Sequence, residues 1–212
     1  MRRLHRNEAG MSLVELLIAM SLLAILIASF AALLQTTVTR SSALATQMTL
    51  QSVGRTAIDS LAADLRQSVC FNSTSPIVAG SGTVLTFYSP DRQIPYHMRE
   101  IFYTLSNGTL TRRITTSTGT SANYGTFTPP WGALTSGPSG PVADSITNAI
   151  AFMFYDSSGN PISTNGSAVS SGQLPNIATI RVSLTLAPKG ARGSGLTTVE
   201  ANISLRTPTC NG

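Results

Sequence analysis

The sequence predicts an α+β fold, with one long N-terminal helix, half of it transmembrane, packed on an antiparallel β-sheet head. Three observations predict it. An uncharged apolar run follows Glu15, and no charged residue recurs until Arg40. No proline interrupts the chain before Pro76. Beyond that proline, short alternating segments lie between Gly, Asn, Ser and Pro clusters, which is the pattern of strands and turns. Helix first and strands after is an α+β order.

The helix is expected from Met11 to about Cys70. About 20 apolar residues span a bilayer as a helix, so Leu16 to Val38 is long enough to do so. Beyond Arg40 the apolar residues become one-sided. Leu50, Val53, Ala57, Leu61, Leu65 and Val69 recur at spacings of three or four, one slowly winding helical stripe. Arg55, Asp59, Asp64 and Arg66 fall on or near the other side, with Arg55 and Asp59 spaced to pair for a few tenths of a kcal/mol. Gly54 costs the helix about 1 kcal/mol relative to Ala, so it marks a bend or a close contact. At 1.5 Å per residue, about 60 residues make a rod of roughly 90 Å.

Asn72-Ser73-Thr74-Ser75-Pro76 ends the helix, and strands follow. Thr83 to Ser89 is expected to be one. Arg99 to Leu105 and Thr109 to Thr115 flank Ser106-Asn107-Gly108, where Asn-Gly favours the φ > 0 positions of a tight hairpin. Thr116 to Val142, rich in Ser, Thr, Gly and Pro, is expected to be a long irregular loop carrying Trp131. Ile146 to Asp156 is strand-like, and Ser157-Ser158-Gly159-Asn160 turns the chain. Ser163 to Gln173 is a second polar loop. Ile177 to Leu186 alternates as a half-buried strand. Lys189 to Gly195 is a turn, and Thr197 to Arg206 closes the sheet. Phe152, Phe154 and Tyr155 are expected in the sheet core.

Composition narrows the function classes. The chain has 212 residues with only 11% charged, which suits an exported β-rich head better than a cytosolic enzyme. The net charge of +5 is scattered, and only Arg112-Arg113 are adjacent arginines beyond the first ten residues. A nucleic-acid module shows a basic patch or stripe, so direct nucleic-acid binding is not expected. Gly-x-Ser-x-Gly, C-x-x-C, clustered His and phosphate-binding Gly motifs are absent from the sequence. No catalytic residue, cofactor or metal site is expected. His97 reads as a structural or solvated residue. The Asp156–Asn160 segment lacks the spaced carboxylates of a calcium loop.

The first residues carry the chemistry. Arg2, Arg3 and Arg6 form a basic leader against Arg40 alone beyond the apolar run, which places the N-terminus in the cytoplasm by the positive-inside rule. The head is then extracytoplasmic. In an oxidising compartment an even cysteine count suggests a disulfide, here Cys70 with Cys210. Such a loop would constrain the unfolded chain by roughly 5 kcal/mol; two buried free thiols are the other reading. A secretory signal has its small cleavage-site residue after a short apolar core. Here Gly10 lies before a longer one, so cutting after Gly10 leaves the apolar segment on the mature protein.

Gly10-Met11-Ser12-Leu13-Val14-Glu15 followed by that run resembles the class III signal of type IV prepilins and type II secretion pseudopilins. The resemblance implies cleavage between Gly10 and Met11, N-methylation of Met11, and a role for Glu15, the fifth mature residue, in subunit assembly. A carboxylate inside lipid costs roughly 2.5–3.5 kcal/mol on insertion scales, so it is kept where it finds a partner. Met11 departs from the phenylalanine most common after the cut. The expected divisions are a leader at 1–10, the transmembrane and assembly half of the helix at 11–39, and a head at 40–212. The head comprises an amphipathic helix half at 40–71 and a β-rich region at 72–212.

Leu61-Ala62-Ala63-Asp64-Leu65-Arg66, Ile101-Phe102-Tyr103-Thr104-Leu105 with Leu110 and Arg112, Phe152-Met153-Phe154-Tyr155-Asp156 and Leu205-Arg206 are similar to PilW-like minor pilins and J-type minor pseudopilins. The implied partners are other pilins or pseudopilins, the prepilin peptidase/methyltransferase and the inner-membrane assembly platform. The implied function is priming a type IV pilus, near its tip. A J-type pseudopilin of type II secretion shares every feature the residues reveal, and a membrane-anchored surface- or DNA-binding module is a third reading.

Overall fold

The computed structural model describes residues 12–70, 75–122, 133–162, 166–188 and 195–205. Helix α1 runs Leu13–Leu65. Eight strands follow: β1 Ile77–Gly80, β2 Val84–Pro90, β3 Tyr96–Ser106, β4 Thr109–Ser121, β5 Leu134–Ala143, β6 Phe152–Tyr155, β7 Thr179–Leu186 and β8 Thr197–Ser204. This is the α+β pilin-like architecture expected. The chain divides into two compact units at Ala45/Thr46.

In the first unit, α1 is exposed on every side, with no residue of 12–45 buried. The helix is long and apolar enough to cross a membrane, with a mean hydropathy of 2.7 over its most apolar window.

In the second unit, the last turns of α1 bury Gly54, Ala57, Ile58, Leu61, Ala62, Asp64 and Leu65. The predicted stripe is there in Ala57, Leu61 and Leu65, with Leu50 and Val53 partly buried beside it. Gly54 is a close contact. A Cβ there would meet Val199 Cγ2 at 2.9 Å and Leu186 Cδ1 at 3.0 Å. The helix stops at Leu65, short of Cys70. Gln67 and Ser68 donate their N–H groups to the i−3 carbonyls of Asp64 and Leu65, and Val69 donates to Tyr88 O. The last turn thus tightens, and the chain is drawn onto the sheet before proline can end the helix.

The strands form two antiparallel sheets, a five-stranded meander in the order β1 to β5 and a three-stranded one of β6, β7 and β8. Asn107 and Gly108, with φ of 50° and 72°, make the predicted β3–β4 hairpin turn. Gly82 O joins the sheets by accepting the N–H groups of Ala151 and Phe152. Leu61, Leu65, Phe87, Tyr103, Phe152, Phe154, Ile180 and Val182 share one core.

Four further expectations are corrected. Thr116–Val142 is not one loop, because β4 continues to Ser121 and β5 takes up Leu134–Ala143. Only Phe152–Tyr155 of Ile146–Asp156 is a strand; Ile146 makes an isolated bridge to Leu186. Tyr155 stands on the outer face, half-buried, while Phe152 and Phe154 face the core. Asp64, expected away from the apolar stripe, is buried.

Candidate functional site

The N-terminal end of α1 is built by Ser12 and Glu15. Ser12 Oγ accepts the N–H of Glu15 at 3.2 Å, and the Ser12 carbonyl accepts Leu16 N–H at 3.2 Å. Ser12 is thus the N-cap and Glu15 the third helical residue, the S-x-x-E spacing of a capping box. A carboxylate in the first turn also lies at the positive end of the helix dipole. Glu15 is exposed, and among the described residues no cation pairs with it.

The hydroxyls along the apolar run are satisfied internally. Ser21 donates to Ile18 O, Ser29 to Ile25 O, Thr36 to Ala32 O and Thr37 to Leu33 O, at 2.6–2.9 Å. In hydrocarbon an unsatisfied polar group costs several kcal/mol, so these back-bonds suit the segment to lipid. Glu15 is the exception, a charged group at the lip of the run whose carboxylate has no partner among the described residues.

A second charged group has the opposite setting. Asp64 Oδ2 accepts Tyr103 Oη–H at 2.7 Å and Arg112 Nε–H at 2.7 Å, and its Oδ1 accepts from Arg112 Nη2 at 3.0 Å. This bidentate pair fixes the last helical turn to β3 and β4. Burial, then the Asp64 charge, push the Tyr103 phenol well above its ordinary range. Burial opposes the charge on Arg112, but the Asp64 carboxylate outweighs it and raises the guanidinium. Sequence reading missed this cluster, although Asp64 lies three residues after Leu61 and so on the stripe's own side.

His97 is half-buried, with Nδ1 3.0 Å from Ser117 O and its N–H on Asp91 Oδ1. Asp156 closes its own turn, accepting the N–H groups of Ser158 and Asn160, and these bonds hold its carboxyl below the usual range. Among the described residues no group of His, Cys, Asp and Glu is arranged to hold a metal. Cys70 is half-buried after the helix. Gly10, Met11, Trp131 and Cys210 lie outside the described residues.

Residues 5–31 match the prokaryotic N-terminal methylation motif. No curated protein matches the chain. The match covers Arg6, Gly10, Glu15 and most of the apolar run, while the α+β head follows it. The chain carries the N-terminal methylation motif of the type IV pilin-like and pseudopilin family.

Proposed function

We propose that this protein is a minor pilin, cut between Gly10 and Met11 and methylated on Met11, that primes a type IV pilus and is incorporated near its tip. The methylation motif at residues 5–31 supports a pilin or pseudopilin role in general. The observation that carries the proposal further is Glu15, a carboxylate in the first turn of a membrane-length helix with no cation beside it among the described residues. In a dry helix bundle an unpaired charge costs several kcal/mol, and an opposite charge in good geometry offsets that cost. The N-terminal ammonium of a neighbouring subunit supplies such a charge. Docking then has a register, in which each carboxylate meets an amine. The absence of a proline within the apolar run favours a minor subunit over the main structural one.

The role is structural, with no catalytic step. The N-terminus lies in the cytoplasm, the helix crosses the inner membrane at 11–39, and the head at 40–212 is extracytoplasmic. Other pilins, the prepilin peptidase/methyltransferase and the assembly platform are its partners. A Cys70–Cys210 disulfide anchors the chain after the helix; its support is that no cysteine among the described residues is free.

In-frame deletion of the gene tests the reading. Loss of surface filaments from sheared fractions, restored by the wild-type chain, is the expected result. Unchanged filaments with a depleted exoproteome would move the subunit to the J-type place in type II secretion. Gly10→Val should leave the protein at its uncut size, read by mass spectrometry of the membrane fraction.

A further inference from the structure

The two sheets present four outer strands, and three of them are closed to further pairing. β1 is four residues long with a bulge after Ile77, and its Gly80 carbonyl accepts Val169 N–H. β5 carries Pro138 and Pro141 and two register shifts. β6 is four residues long, its Phe154 carbonyl accepts Ile162 N–H, and Tyr155 bridges Pro161. Short length, bulges, prolines and covering loops are the usual protections of an edge.

Among the described residues β8 has none of these. It pairs with β7 over eight consecutive residues without a shift, and it contains no proline, lysine or glycine. Among the described residues its backbone bonds only to β7. Val199 and Ala201 point to the core side yet stay half-buried. Beside them lies a groove of about 340 Å³, lined on α1 by Gln51, Arg55, Ile58 and Asp59.

The outer side chains are half satisfied. Glu200 Oε1 accepts Ser183 Oγ–H, leaving Oε2 without a partner among the described residues. Asn202 Oδ1 accepts Arg181 Nε–H, leaving the Nδ2 donors likewise. One register matches these groups to each other. With Ala201 opposite Ala201 in an antiparallel pair, Glu200 faces Asn202 on both sides of the two-fold axis. Thr198 then faces Ser204, and Val199 faces Ile203. Side chains keep their faces, because directly opposite residues share a side, and no like charges meet.

We propose that β8 is a docking edge for a second copy of this chain, which adds its own β8 in that register. The contact is isologous, so each residue meets its reciprocal partner. The backbone ladder supplies attraction, and the twin Glu200–Asn202 pairs supply the register. The proposal rests on the sheet edge and is independent of the pilin reading.

Disulfide trapping of the full-length protein in detergent tests it, against the wild-type chain under the same oxidation. Ala201→Cys should give a covalent dimer, since opposite Cα atoms lie within disulfide reach. Thr198→Cys should give none, because its two copies lie far apart in this register. Adding Asn202→Glu to Ala201→Cys sets carboxylates against carboxylates and should remove the dimer. Adding Glu200→Lys as well should bring it back. A monomer with Ala201→Cys overturns the proposal, as does equal trapping at both positions or a dimer indifferent to Asn202→Glu.

Discussion

Two carboxylates on one helix, Glu15 and Asp64, show how differently a chain treats a charge. Asp64 is buried and satisfied inside the protein by Tyr103 and Arg112. Glu15 is exposed at the apolar end; among the described residues Ser12 engages its backbone N–H, and nothing pairs with its carboxylate. The first carboxylate belongs to the fold. The second has no side-chain partner among the described residues, which is what the proposed contact with a neighbouring subunit requires. The same contrast runs through the helix, which is exposed all round over 12–45 and one-sided from Gly54 to Leu65.

The largest expected loss of stability follows Asp64→Ala. It leaves Arg112 and Tyr103 facing a pocket without their acceptor. Removing one partner of a buried pair costs about 3–5 kcal/mol; the Arg112 side chain is 28% exposed, so about 3 is expected. Thermal unfolding of the head checks it. Next comes Gly54→Leu, which drives side-chain atoms into Val199 and Leu186 and should cost roughly 1–3 kcal/mol by overpacking. Tyr103→Phe removes one hydrogen bond to a charged group, for about 1.5 kcal/mol.

Alkaline pH makes the same point more gently. The Tyr103 phenol is raised in the folded head, so its contribution is complete below the ordinary tyrosine value near 10. Above that pH the unfolded chain ionises first, and stability falls as pH rises. Tyr88 is raised by burial and by Glu100 and acts in the same direction. Melting curves at pH 8 and 11 should therefore diverge, and less so for Tyr103→Phe. The smallest effect on folding belongs to Glu15→Ala, which should leave the head's melting unchanged.

Much of the fold was legible because its signals are repeated. Every residue of the apolar run says the same thing, and Phe152/Phe154 or Ile180/Val182/Leu184 repeat an alternation that only a half-buried strand needs. Single-residue decisions were not legible in this way. Asp64 reads as a surface residue until Arg112 and Tyr103, distant in sequence, are seen to meet it. β5 reads as a loop because Gly137, Pro138, Gly140 and Pro141 are loop residues by composition; an edge strand tolerates them, but nothing local says an edge is there. The end of α1 was set by Val69 donating to Tyr88 O, a long-range bond that no periodicity reveals. Ser12-x-x-Glu15 was legible as part of the methylation motif, while its second role as a helix cap went unread.

The most direct test of the contrast is the share of Glu15→Ala protein recovered in sheared filaments, measured beside the melting temperature of its head. The expected result is a peptidase-processed, normally folded subunit that stays in the membrane and is depleted from filaments. Glu15→Ala protein at wild-type levels in the filaments would contradict the assignment of Glu15 to a neighbouring subunit.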